Sequence, residues 1–152
     1  AGGYGSAAIL PLAKRSAEKG ILLLGARSSA DIILTEEYEN AGYEVRLATQ
    51  DGSLGRKGLV TELLDGALAD AEKTPVLYAC GPTPMLMVLG KIAVEKNVKC
   101  YLSLDQHMCC GIGACFACVV KMKDSSSPDG WRYSRTCKEG PVYTADEVYY
   151  EA

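Results

Sequence analysis

PVLYACGPTPMLMVLGKIAVEKNVKCYLSL, residues 75–104, sets the architecture of this chain. An apolar run at residues 75–80 stops at Gly81-Pro82. Thr83 and Pro84 then supply a helix start: a side chain able to cap, and a ring whose fixed φ suits the first helical position. Met85, Leu89, Ile92 and Ala93 recur at helical spacing behind them. In residues 98–104, Val98, Cys100, Leu102 and Leu104 alternate with Lys99, Tyr101 and Ser103, the period of a strand with one covered face. Its half-exposed character places it near a sheet edge.

The same alternation of elements extends upstream. Residues 21–25 form a continuous apolar run between Gly20 and Arg27, as expected of a strand covered on both faces. Residues 43–48 supply another strand. Val60, Leu63, Leu64, Ala67, Leu68 and Ala71 fall on one helical stripe. Ser28 with Asp31 can form a capping box for a helical segment over residues 31–40, which Gly42 is suited to end. Strand and helix in alternation imply an α/β fold over residues 1–104: a doubly wound, mostly parallel sheet with right-handed crossovers.

Such a sheet binds ligands at the carboxyl ends of its strands, and three segments fall there. Gly2-Gly3-Tyr4-Gly5-Ser6-Ala7 precedes a helix running to about Lys19, so a pyrophosphate could approach backbone N–H groups at a positive helix end; a plain turn is the competing reading. Residues 51–58, DGSLGRKG, are either a second ligand loop or a surface connection. Third comes Cys80-Gly81-Pro82-Thr83-Pro84-Met85, where Cys80 alone reads equally well as a small buried hydrophobe.

Downstream, Cys110, Cys115 and Cys118 are separated by four and two residues, with Cys137 after a longer gap, the spacing of a plant-type [2Fe–2S] cluster. Gly111-Ile112-Gly113-Ala114 is a nearly side-chain-free loop that lets backbone N–H groups turn toward sulfur. A structural zinc is the alternative, although zinc sites more often present two Cys-x-x-Cys knuckles and only Cys115-Phe116-Ala117-Cys118 has that form. Disulfides fit least, because seven cysteines is an odd number and no targeting segment is visible. Cys109 breaks the spacing and reads as a bystander, as does His107, the only histidine; Cys100 reads as core. Residues 105–152 therefore form a small irregular or β module organised by a metal centre. Residues 125–130, SSSPDG, are its main loop, and Tyr133, Tyr143, Tyr149 and Tyr150 either pack it or face a partner.

Composition excludes other classes. Net charge is −3 and the 16 Lys and Arg are scattered, so no basic surface attracts nucleic acid. No apolar stretch approaches the roughly 20 residues needed to span a bilayer. Unpaired thiols without a targeting segment make the cytosol the expected compartment.

The glycine loops, Cys80-Gly81-Pro82, and the cysteine segment followed by Thr136-Cys137-Lys138-Glu139-Gly140-Pro141-Val142-Tyr143 together resemble the ferredoxin–NADP reductase superfamily. Within it, the resemblance is to the electron-transfer subunit of B-type dihydroorotate dehydrogenase; subunits of NADH-dependent ferredoxin oxidoreductases and sulfite reductases are nearest after it. The resemblance implies Gly3, Gly5 and Ser6 as the pyrophosphate cradle, Asp51, Gly52 and Ser53 near the bound nucleotide, and Cys80, Gly81 and Pro82 beside the nicotinamide with Met85 packed behind. It further implies NAD as the nucleotide, although Arg27, Ser28 and Ser29 would also suit a 2′-phosphate. The implied partner is an FMN-containing catalytic subunit, in a heterotetramer that oxidises dihydroorotate to orotate in pyrimidine biosynthesis. Members of the family carry a flavin-binding barrel ahead of the nucleotide domain, so the sequence is expected to be part of a longer polypeptide, with FAD held by that barrel. No acid or base for substrate chemistry is expected here, and the chain is not expected to act alone.

Overall fold

The apolar run becomes β1 (Ile21–Ala26), which pairs in parallel with β2 (Glu44–Thr49) from Ile21↔Glu44 to Ala26↔Thr49. A computed structural model provides these coordinates and describes residues 1–71 and 73–151. It divides into two compact units, Ala1–Pro75 with Cys80–Met85, and Val76–Ala79 with the chain from Leu86 onward.

In the first unit, β3 (Arg56–Lys57) extends the parallel sheet on the far side of β2, and Gly2 bridges in parallel to Gly25. Leu22 and Leu24 pack with Ala13 and Tyr38 into a core; burying a leucine fully contributes about 2 kcal/mol. Ala13 comes from α1 (Gly5–Arg15) and Tyr38 from α2 (Thr35–Asn40). The capping box forms, with Ser28 N–H and Oγ both reaching Asp31 Oδ2 at 3.2 and 2.9 Å. It caps only a 3₁₀ turn, Ser29–Asp31, so the helix expected over residues 31–40 is broken. Ile32 and Leu34 instead pack against the core, and Leu34 takes a left-handed φ of 66°; burial of those side chains outweighs local helix propensity. Gly42, at φ 87°, closes α2 through its N–H to the Glu39 carbonyl. The stripe beginning at Val60 likewise divides into a 3₁₀ turn, Val60–Leu63, and α3 (Leu64–Ala69).

The quoted segment folds as read: β4 (Val76–Cys80), α4 (Thr83–Glu95) and β5 (Lys99–Ser103). Cys100, Leu102 and Leu104 are buried, as the alternation requires. β5 lies one strand in from the edge, near it as expected, because the short β8 (Val142–Thr144) returns antiparallel to it, giving the order β4-β5-β8. The open face of that sheet carries the Tyr78 and Tyr101 rings stacked at 5.3 Å. Residues 119–135 form an antiparallel hairpin of β6 (Val119–Lys123) and β7 (Trp131–Arg135), from Val119↔Arg135 to Lys123↔Trp131. The architecture is thus mixed α/β with small parallel and mixed sheets. No helix among the described residues is long and apolar enough to cross a membrane.

Candidate functional site

The hairpin fixes two of the cysteines. Cys118 immediately precedes β6, and the ladder continues one step beyond Val119↔Arg135, where Thr136 N–H donates to the Cys118 carbonyl at 3.0 Å. Cys137 is therefore delivered to Cys118 by strand pairing. The Cys137 backbone N–H and then its thiol pull the Cys118 pKa down. The Cys137 pKa is held up, first because its S–H donates to Cys118. Thr136 Oγ1 is fully buried and has no hydrogen-bond partner among the described residues.

The other two cysteines are held by the glycine loop. Gly111 and Gly113 adopt φ of 67° and 80°, and Phe116 one of 58°. Turns of this kind aim successive amides at one point. The N–H groups of Cys115, Ile112 and Ala114 converge on the Cys110 sulfur, and with the Cys115 thiol they lower its pKa to about 6. The thiols thus come together two by two, Cys110 with Cys115 and Cys118 with Cys137, and the charge of Cys110 is felt at Cys137. No group of three or more His, Cys, Asp or Glu side chains suited to a metal ion occurs among the described residues. Cys109 and His107 are exposed, and Cys100 is core. Of the tail tyrosines, Tyr143 and Tyr150 pack inward, through Ser134 Oγ at 3.0 Å and the Ala145 carbonyl at 2.8 Å, while Tyr133 is exposed against Trp131.

In the first unit, two of the three glycine segments come together. Gly2 N–H donates to the Cys80 carbonyl and Gly3 N–H to the Gly25 carbonyl, both at 3.0 Å. A Cβ on Gly5 would sit 2.2 Å from the Cys80 oxygen, and one on Gly2 would sit 2.8 Å from both Met85 Sδ and Pro82 Cδ. Met85 therefore packs behind the turn. Gly5 and Ser6 N–H groups bond back to the Gly2 and Gly3 carbonyls at 3.0 and 3.2 Å, so a ligand at this helix end would share donors already engaged. Tyr38, on α2, donates to the Ser6 carbonyl at 2.6 Å and steadies that first turn; burial pushes its phenol up to about 12.

Asp51 and Ser53 form a separate constellation beyond β2. Ser53 N–H and Oγ donate to Asp51 Oδ1 at 2.9 and 2.7 Å, and Ser29 N–H donates to Ser53 Oγ at 2.8 Å. The Ser53 hydroxyl and then its amide hold the Asp51 carboxyl below the usual range. The Ser29 and Asp51 loops, far apart in sequence, are thus linked through Ser53. Tyr38, Thr136 and Arg135 were not read from sequence as site residues; the position of Thr136 and Arg135 beside Cys137 was the available signal.

Residues 105–149 match the family model for the iron–sulfur cluster binding domain of dihydroorotate dehydrogenase B. The electron transfer subunit of dihydroorotate dehydrogenase B (NAD(+)) from Caldanaerobacter subterraneus subsp. tengcongensis is 41% identical over 150 residues, covering 98% of this chain and 57% of that protein. Its counterpart from Fusobacterium nucleatum subsp. nucleatum is 38% identical over 154 residues, covering 99% and 56%. The chain spans little more than half the length of these relatives. Among solved structures, a chain from a study of flavin-based electron bifurcation in an NADH-dependent reduced ferredoxin-NADP oxidoreductase superposes with a TM-score of 0.78 at 30% identity, covering 98% of this chain and 52% of that one.

Proposed function

We propose an electron relay for this chain, which carries an iron–sulfur cluster binding domain of the dihydroorotate dehydrogenase B type and is homologous along nearly its whole length to the electron transfer subunits of that enzyme. The group held is a [2Fe–2S] cluster on Cys110, Cys115, Cys118 and Cys137. The observation that carries this reading is the pairing of the cysteines by the backbone: the hairpin ladder brings Cys137 to Cys118, and the Gly111–Gly113 turn joins Cys110 to Cys115. Two irons need two thiolates each, whereas a structural zinc needs four donors about one point. When bound, such a cluster exchanges one electron at a time, and flavins on either side convert hydride pairs into single electrons.

The chain's own residues then have defined tasks. Amides of Ile112, Ala114 and Cys115 place partial positive charge at Cys110, which favours the more negatively charged state of whatever that sulfur binds. Gly3, Gly5 and Ser6 form the pyrophosphate cradle: Gly3 leaves open space where a side chain would stand, Gly5 lets the turn approach the Cys80 backbone, and Ser6 ties back to Gly3; Cys80, Gly81 and Pro82, backed by Met85, lie beside the nicotinamide. Asp51, with Gly52 and Ser53, faces the adenosine ribose; its anionic carboxylate accepts from a 2′-hydroxyl and repels a 2′-phosphate, which selects NAD over NADP. Roles divide near residue 104, with nucleotide binding in residues 1–104 and cluster binding in 105–152, although β5 and β8 share a sheet.

The partner is an FMN-containing catalytic subunit that oxidises dihydroorotate to orotate, assembled as a heterotetramer, with FAD between cluster and NAD in the complete enzyme. The relatives' designation as electron transfer subunits supports a catalytic partner. Seven unpaired cysteines accord with a reducing, cytosolic setting. The structural neighbour supports a second reading, in which the same relay serves an NADH-dependent ferredoxin oxidoreductase. Electron paramagnetic resonance on anaerobically purified protein tests the relay common to both. Dithionite should generate about one unpaired spin per chain, as expected of a cluster that takes up one electron. A colourless sample, silent before and after reduction, overturns it.

A further inference from the structure

Resting on the cluster reading above, we propose that Arg135, clamped by Glu139, is a positioning residue that locks the Cys110–Cys118 loop to the turn carrying Cys137. Arg135 ends β7, opposite Val119. Its main chain shapes the turn: the N–H donates to Glu139 Oε2 at 2.7 Å, and the carbonyl accepts from Lys138 and Glu139 N–H at 3.1 and 2.9 Å. Cys137 lies inside that turn.

The Arg135 side chain points the other way, into the loop. Nη1 donates to the Gly113 carbonyl at 2.8 Å, and the guanidinium lies 5.1 Å from the centre of the Phe116 ring. Gly113 stands between Cys110 and Cys115, and Phe116 between Cys115 and Cys118. One side chain therefore touches both intervals of the loop while its backbone builds the turn of the distant fourth cysteine. Nε and Nη2 are held by the Glu139 carboxylate. That fork leaves Nη1 aimed at Gly113. The Arg135 side chain is only 23% exposed, so the latch is partly shielded from water, unlike an ordinary surface pair.

The pair also sets charge near the sulfurs, and this separates positioning from mere support of the fold. Cation and anion nearly cancel while paired. Arg135→Gln leaves a carboxylate beside the sulfurs and opposes the arrival of an electron; Glu139→Gln leaves a cation and favours it. Loosening of the fold alone would move both variants the same way.

The experiment measures iron release to a chelator and the midpoint potential in wild type, Arg135→Gln, Arg135→Lys and Glu139→Gln, with far-ultraviolet circular dichroism as a folding control. Arg135→Gln should release iron roughly tenfold faster, the usual size of an outer-shell effect on metal binding. The potential should fall in Arg135→Gln and rise in Glu139→Gln. Arg135→Lys should keep a near-native potential but remain labile, since an ammonium cannot hold Glu139 and Gly113 with one planar fork. Folded variants with wild-type release rates, or potentials shifted in one common direction, overturn the latch while leaving the cluster reading intact. A wild-type chain that takes up no cluster overturns both.

Discussion

Cys137→Ser should empty the chain of iron, taking it from about two atoms per molecule to nearly none. The ligand is the thiolate, and a serine hydroxyl does not ionise at neutral pH to replace it. Strand pairing brings residue 137 to Cys118, so the serine would stand at the site and fail for chemical reasons, with the hairpin intact. Cys115→Ser should have the same effect through the other pair. Cys109→Ser is the control: Cys109 is exposed and belongs to neither pair, so its loss should leave iron unchanged. The measurement is iron per chain in samples matched for folded content. Equal depletion in the Cys109 variant would mean that the first ligand is misassigned.

Gly5→Ala should cost both fold and nucleotide. The added methyl would meet the Cys80 oxygen at 2.2 Å, the Cys80 carbonyl carbon at 2.5 Å and the Gly81 nitrogen at 2.8 Å. All three are backbone atoms, so no side-chain rotation relieves the clash and the turn at Cys80-Gly81 must move. Overpacking of this kind costs about 3 kcal/mol, which for a chain of this size lowers the melting temperature by roughly 10 °C. NADH binding should weaken on the order of a hundredfold, because the nicotinamide loop and the pyrophosphate loop are displaced from one another. Gly3→Ala separates the two effects. Nothing lies within 4 Å of a Cβ there, and the only penalty is a φ of 51°, worth about 1 kcal/mol. The fold should survive, while the methyl intrudes on the space assigned to phosphate. Unchanged NADH affinity in a folded Gly3→Ala chain would contradict the cradle.

Much of the framework was legible because it depends on local pattern. The apolar run at Ile21, the Thr83-Pro84 helix start and the alternation from Val98 to Leu104 each specify their element through neighbours close in sequence. The cysteine spacing was legible for the same reason. What escaped depends on partners far along the chain. The strand that flanks β5 escapes because β8 has only three residues, too few for its alternation to announce it. The helix over residues 31–40 failed where Ile32 and Leu34 found a better site against the core than a helical turn offered. Arg135 signals itself only by standing two residues before Cys137: a single arginine near the end of a polar strand reads as a solvated charge, and its link to Gly113, 22 residues away, exists only once the hairpin has formed. Thr136 likewise stands out in the sequence only as the neighbour of Cys137, since the burial of its hydroxyl exists only in the folded chain.

The relay requires iron bridged by inorganic sulfide between two thiol pairs. Iron and acid-labile sulfide should therefore be assayed together on protein purified without oxygen. The expected result is about two of each per chain. Stoichiometric zinc with no sulfide would contradict it and leave the four cysteines holding a structural ion instead.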